Sequence, residues 1–214
     1  MSSRRESRAN YHHGSLRVAL IKAAEALIDE RGLEGFSLRE TARRAGVSPA
    51  APAHHFGDAK GLLSAVAAAA FRRFGKAMEA ADKGEPFEQR LRTQAVAYLR
   101  FAKAEGAKFK LMWRIDLTDR ADPELAASIH AATDLFLRAT PGASAEGGDP
   151  PDLAVAGHLN RFYDPSLAPS LTYWVLVHGF SILALDRVFG RDNFSEERSH
   201  EGLLLTLLDR LRID

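Results

Sequence analysis

Ser37, Arg39, Arg44, Ser48, Pro49, Ala50, His54 and His55 all fall within residues 37–56, SLRETARRAGVSPAAPAHHF. Hydroxyls at helix starts and guanidinium groups are donors that phosphate oxygens accept, and short apolar side chains such as Pro49 and Ala50 can lie against thymine methyls. The chemistry on offer is contact with a nucleic-acid backbone and groove, provided these residues are presented together. Lys60, His12 and His13 are further phosphate candidates just outside the stretch. Neighbouring residues on a helix diverge by about 100°, so neither His12-His13 nor His54-His55 clasps an ion easily, and no metal is expected. The chain has no Gly-rich phosphate loop after a strand, no nucleophile elbow and no convincing acid–base pair, so neither an enzyme nor a cofactor is expected.

The spacing of these residues predicts how they are held. Ser37 with Glu40 three positions later is a capping box, which starts a helix running to about Ala45. Gly46 suits the left-handed backbone at a helix end, and Val47 supplies an apolar plug. Ser48 then reads as a second N-cap, with Pro49 at the first helical position. Two short helices joined by a tight turn, with small Ala42 and Ala45 between them, form a helix-turn-helix whose second helix can enter a major groove.

Charge supports that reading. Residues 1–76 hold 13 Lys and Arg against 7 Asp and Glu, while the remainder hold 16 against 21, so a basic front end sits on an acidic body. A 46% hydrophobic content over 214 residues suits a globular chain with a substantial core, and zero cysteines exclude disulfides and cysteine-ligated metals. The most apolar run, residues 171–185, is short for a membrane span and contains Thr172, His178 and Ser181. With no signal-peptide pattern at the front, the expectation is a cytoplasmic protein without membrane contact.

The supporting elements are helices throughout, giving an all-α fold of about nine. Residues 1–10 read as a disordered basic arm, and residues 11–57 as the helix-turn-helix unit, whose first helix (15–31) shows Leu16, Leu20, Ala23, Ala24, Leu27 and Ile28 on one face. Residues 58–84 form a connecting helix some 35 Å long at about 1.5 Å per residue, a candidate lever. Residues 85–214 form the body: helices over 85–105, 108–117, 122–138 and 152–163, a mobile Gly/Pro-rich loop over 140–152, and two apolar helices over 170–189 and 195–212. The surplus apolar surface of the last two predicts a homodimer, paired through Leu171, Trp174, His178, Ile182, Leu204 and Leu208 as a four-helix bundle.

YHHGSLRVALIKAAEALIDERGLEGFSLRETARRAGVSPAAPAHHF resembles the N-terminal DNA-binding domain of the tetracycline-repressor (TetR/AcrR) family of bacterial regulators, especially the subgroup beginning YHHG with a recognition helix reading SPAAPYRHF. The resemblance covers about residues 11–75. Farther on, Tyr173-Trp174-Val175-Leu176-Val177-His178-Gly179 resembles the Trp-His-Gly signature of one C-terminal class in that family. It implies an Ω-shaped homodimer that binds a palindromic operator, most simply as a repressor, and releases it when a small molecule enters the body. Two positions depart from the pattern. Ala53 replaces a tyrosine that bonds a backbone phosphate, and Ala59 replaces a lysine, with Lys60 following. One lost phosphate hydrogen bond costs roughly 1 kcal/mol per subunit.

For the effector, large side chains in the body are the candidates: Tyr98, Phe109, Met112, Trp113, Phe136, Phe162, Trp174 and His178. A mostly apolar cavity with Tyr98 and His178 as polar handles would take a hydrophobic or aromatic ligand. The same residues would equally serve as plain core, and His178-Gly179 as close packing at a subunit seam. The rival function is a ligand-independent DNA-binding or partner-binding helical dimer.

Overall fold

The computed structural model describes residues 3–137, 168–190 and 199–211, with side chains placed for residues 15–133, 168–190 and 199–211. Among the described residues there are nine helices and no strand. α1 (Ser3–Arg31) is one continuous helix and begins well before the expected start near Ser15. The stretch expected as a disordered arm is helical from Ser3, because Arg4, Arg5, Glu6, Arg8 and Ala9 tolerate a helix well. An internal glycine such as Gly14 costs only about 1 kcal/mol. The inner face buries Leu20, Ala24, Leu27 and Ile28, as the periodicity predicts, and Gly32 ends the helix at φ +71.

α2 (Leu38–Arg44) starts where Ser37 Oγ accepts the Glu40 N–H at 3.5 Å. The Glu40 carboxylate is drawn to Arg43, 2.8 Å from both Nε and Nη2, and to Arg44 Nε at 3.3 Å, a use the capping-box reading did not foresee. Gly46 turns the chain at φ +68, and the Val47 N–H donates to the Ala42 carbonyl at 3.1 Å. α3 (Ala51–Phe56) then begins later than the sequence suggests. Ser48 and Pro49 sit in a preceding tight turn, in which the Ala51 N–H reaches back three residues to the Ser48 carbonyl at 3.0 Å. The N-cap position is Ala50, without a side-chain cap, and Pro52 is the proline of the first turn.

α4 (Ala59–Ala81) is capped by Asp58, whose Oδ1 accepts the Gly61 N–H at 2.8 Å. α5 (Phe87–Ala104), α6 (Gly106–Met112) and α7 (Pro123–Leu137) follow, and α4 packs against all three and against α1. Buried alanines at 65, 67, 68 and 70 remove the bulk that would hold neighbouring helices apart. One continuous apolar cluster runs from Ile21 and Ile28 through α4 to Leu204, so α4 is a shared core rather than a spacer between two cores.

Charged side chains fasten α1 to the body. Lys108, only 7% exposed, places Nζ 2.5 Å from both Asp29 carboxylate oxygens and 3.3 Å from Glu105. Arg73 joins Glu25 at 2.8 Å to Glu105 at 2.9 Å, and Glu124 takes Arg17 at 2.5 Å and Arg72 at 2.8 Å.

The last two helices differ from expectation in extent. α8 (Ala168–Leu185) stops four residues short of Phe189, where Arg187 takes φ +59. α9 (His200–Leu208) is capped by Ser199, whose Oγ accepts the Gly202 N–H at 2.9 Å, and ends before Arg212; Ser195, the expected cap, lies outside the described residues. α8 is long and apolar enough to cross a membrane by length and composition, yet it packs on α5 and α9 and its Tyr173 hydroxyl donates to the Leu91 carbonyl at 2.6 Å. The loop expected over 140–152 and the helix expected over 152–163 lie outside the described residues.

Candidate nucleic-acid interface and effector site

Ser37, Arg39, Ser48, Pro49, Ala50, His54 and Lys60 are all exposed at the α2–α3 end of the molecule. Ser37, Arg39, Arg43, Val47 and Pro49 border one open depression of about 440 Å³ between α2 and the turn before α3. The geometry thus puts the Ser37 and Arg39 donors and short apolar groups beside a concave surface that a phosphate backbone can approach, with Glu40 on the same lining paired to Arg43. Arg44 is placed differently. It is half-buried, hydrogen-bonded to Glu30 of α1 and to Glu40, so its guanidinium ties α2 to α1. His55 is half-buried beside Phe56, with ring centroids 6.3 Å apart, and 5.8 Å from His54. Among the described residues no three His, Asp or Glu side chains converge as a metal site would require. Sequence reasoning missed Arg43; its place one residue before Arg44, on the outer side of α2, was the available signal.

In the body, the structure brings four other effector candidates together around His178. Its ring stacks on Trp174 at 5.2 Å and 18°, and lies 4.8 Å from Trp113, 5.6 Å from Phe109 and 6.2 Å from Tyr98. Tyr98 Oη is 2.9 Å from His178 Nδ1. Burial raises the Tyr98 pKa, opposed in part by a hydrogen bond from Trp174, so the phenol keeps its proton. The two polar handles are therefore hydrogen-bonded to each other, the imidazole tautomer setting which of them donates. The Trp113 Nε1–H is buried and, among the described residues, meets no acceptor. Met112 and Phe109 are fully buried in the core. Phe162 lies outside the described residues, as does the Phe136 side chain.

Burial pushes the His178 pKa down from 6.5 to about 4. Between those values the unfolded chain binds more protons than the folded one, so stability falls as pH drops through 6.5 towards 4. For a half-buried ring the loss is on the order of 2 kcal/mol, part of the charge being screened by solvent. Urea denaturation at pH 7 and pH 4.5 is expected to show this loss in the wild type, and the His178→Gln difference between the two pH values to be smaller by about that amount. Equal pH dependence of the two proteins would refute the assignment.

Residues 20–66 match the model for bacterial regulatory proteins of the tetR family, and residues 91–207 match the tetracyclin repressor-like C-terminal domain, which alone spans more than half of the chain. The chain belongs to the TetR family. No curated protein matches it. Among solved structures, a protein of unknown function from Rhodococcus sp. RHA1 is 30% identical, with a TM-score of 0.68 over 94% of this chain and 95% of that one. A TetR-like transcriptional regulator from the same organism is 20% identical, with a TM-score of 0.56 over 91% and 94%. The TetR family regulator PfmR from Thermus thermophilus is 18% identical, with a TM-score of 0.55 over 89% and 94%. These last two share the fold, and neither matching family is catalytic.

In this TetR-family regulator Ala53 and Ala59, the two positions expected to depart from the family pattern, are both exposed. Its α8 and α9 leave apolar side chains uncovered. Val175 is 60% exposed, Leu183 43%, and Leu203 and Leu207 38% each. On α8 these continue a stripe through Leu176, Gly179 and Ile182 at helical spacing. The expected interface set needs one correction of phase. Leu204 is 0% exposed and faces this chain's own core, so Leu203 and Leu207 are the leucines of α9 that are exposed. Leu171, Trp174, His178, Ile182 and Leu208 are partly covered.

Proposed function

We propose that this TetR-family regulator acts as a cytoplasmic repressor, pairing as a homodimer through α8 and α9 and setting two α2–α3 units on a palindromic operator. The observation that carries the reading is the pairing of two surfaces on one chain: an exposed polar face on α2–α3 and an uncovered apolar stripe on α8–α9. A rigid pair can place recognition helices about 34–36 Å apart, the repeat of successive major grooves. Arg39 and the Ser37, Ser48 and Lys60 groups hold phosphates, Pro49, Ala50, His54 and His55 face the groove, and Arg44 holds the first helix in place through Glu30.

The body is assigned to the Trp-His-Gly class on Trp174, His178 and Gly179. Its effector is a small hydrophobic or aromatic molecule that enters the cluster of Tyr98, Phe109, Trp113, Trp174 and His178, with Met112 behind it and Phe136 and Phe162 as further contacts. An oxygen on that molecule supplies the acceptor that Trp113 Nε1 lacks among the described residues. Binding shifts the population away from the DNA-competent form only in so far as the effector prefers the other form.

The test is duplex selection from a random library, followed by affinity and salt dependence on the selected site. Arg39→Ala is expected to lower affinity about fivefold and to reduce the salt slope by about one per subunit. Ala53→Tyr, which restores the family's phosphate donor, is expected to raise affinity by a similar factor. Absence of any selected duplex at low salt would overturn the reading.

A further inference from the structure

A second opening shares Trp113 with the aromatic cluster and lies where the turn after α1 meets α6 and the end of α8. This cleft of about 700 Å³ has an apolar floor of Leu33, Ala107, Trp113, Leu185 and Ile182, the last also part of the α8 stripe. Its rim carries Glu34, Lys110, Arg114 and Asp186. We propose that the cleft binds a neutral, flat aromatic molecule, which bridges the DNA-reading end and the body of the protein.

The size lies within the roughly 300–1,000 Å³ usual for small-molecule sites, and junctions between structural units are where such sites concentrate. The rim charges decide the class of ligand. Lys110 pairs with Asp186, and Arg114 pairs with Asp116 at 2.7 Å and lies in the field of Glu34. Both cations are thus already compensated, which removes the incentive for a carboxylate or phosphate to enter. The floor offers an indole and aliphatic groups, which suit a ring system.

The walls are held at a set spacing. On the neighbouring turns Lys108 bridges Asp29 of α1 and Glu105, and Arg73 bridges Glu25 and Glu105. The clamp keeps α1 beside α6, so the cleft exists before any ligand arrives. Beyond Glu34 the chain runs directly to Ser37, the cap of α2. A molecule wedged against Leu33 therefore acts on the α2–α3 unit without passing through α4. Neither a dimer nor a known operator is required for this inference.

The experiment uses the full-length protein and N-phenyl-1-naphthylamine, a neutral fused-ring probe, with 1-anilinonaphthalene-8-sulfonate as its anionic counterpart. Saturable binding of the neutral probe is expected, with quenching of tryptophan emission, since Trp113 is one of two tryptophans in the chain. The sulfonate is expected to bind at least about tenfold more weakly. Ala107→Phe and Leu33→Phe fill the cleft from opposite walls, and each is expected to weaken the neutral probe about tenfold or more. Occupancy should also slow amide exchange in the turn over residues 32–36. If the neutral probe does not bind, if the sulfonate binds as well, or if whichever folded variant is obtained binds like the wild type, the proposal fails.

Discussion

Aspartate at Val175, Leu203 and Leu207 together is expected to yield a folded monomer whose affinity for a selected duplex is lower by at least about a hundredfold. All three side chains are well exposed in the single chain, so the substitutions remove little core packing. In a paired α8–α9 seam, however, they would bury three carboxylates from each copy against apolar surface. Each unpaired buried charge costs several kcal/mol, more in sum than a seam of this kind can offset. Affinity falls because two heads joined in one body bind their half-sites at an effective concentration near the millimolar range, an advantage separate heads lose. Sedimentation velocity reads the mass and fluorescence anisotropy reads the affinity. A dimer that survives the triple substitution removes the seam from the account, and a monomer with undiminished affinity removes the need for paired heads.

Gly61→Ala is the second large effect, and it acts from inside the fold. A Cβ at residue 61 would lie 2.0 Å from the Phe56 carbonyl oxygen and 3.1 Å from its carbon. Both atoms are backbone, so no side-chain rotation relieves the overlap. The last turn of α3 must move by about an ångström, or the first turn of α4 must open and lose the Asp58 cap. Forced overpacking of this kind costs about 1–3 kcal/mol and sometimes more. The displaced element carries His54 and His55, and its Phe56 ring lies under the Arg17 guanidinium at 5.2 Å. DNA affinity is therefore expected to fall more than tenfold even in protein that is still folded at working temperature. Thermal unfolding and anisotropy check the two parts separately. A stable variant with wild-type affinity would show that α3 and α4 are not held as closely as the carbonyl contact implies.

Much of the DNA-reading end was legible because it is built from local chemistry. Ser37 caps the helix that follows it, Gly46 and Gly32 supply the positive φ at two helix ends, and the apolar spacing in α1 points inward as written. The second motif helix was less legible. Ser48-Pro49 has the composition of a helix start, but an i→i+3 turn satisfies the Ser48 carbonyl first and delays α3 to Ala51. The N-terminal residues misled in the opposite sense, since basic composition suggested an arm while the same residues also favour the helix that forms from Ser3.

The sequence by itself determined the all-helical class, the helix-turn-helix and the apolar character of the last two helices. Each follows from hydrogen bonds and periodicities that span a few residues. Tertiary structure alone decided which groups meet across long separations. Arg44 is claimed by Glu30, Tyr98 is joined to His178, and Lys108 clamps Asp29 beside the α6 cleft. It also decided the phase of α9, because in the run of Leu203, Leu204, Leu205, Leu207 and Leu208 nearly every position is apolar. A helix that is greasy on every side carries no record of which face turns inward. Only packing against α5 and α8 buries Leu204 and leaves Leu203 and Leu207 outside.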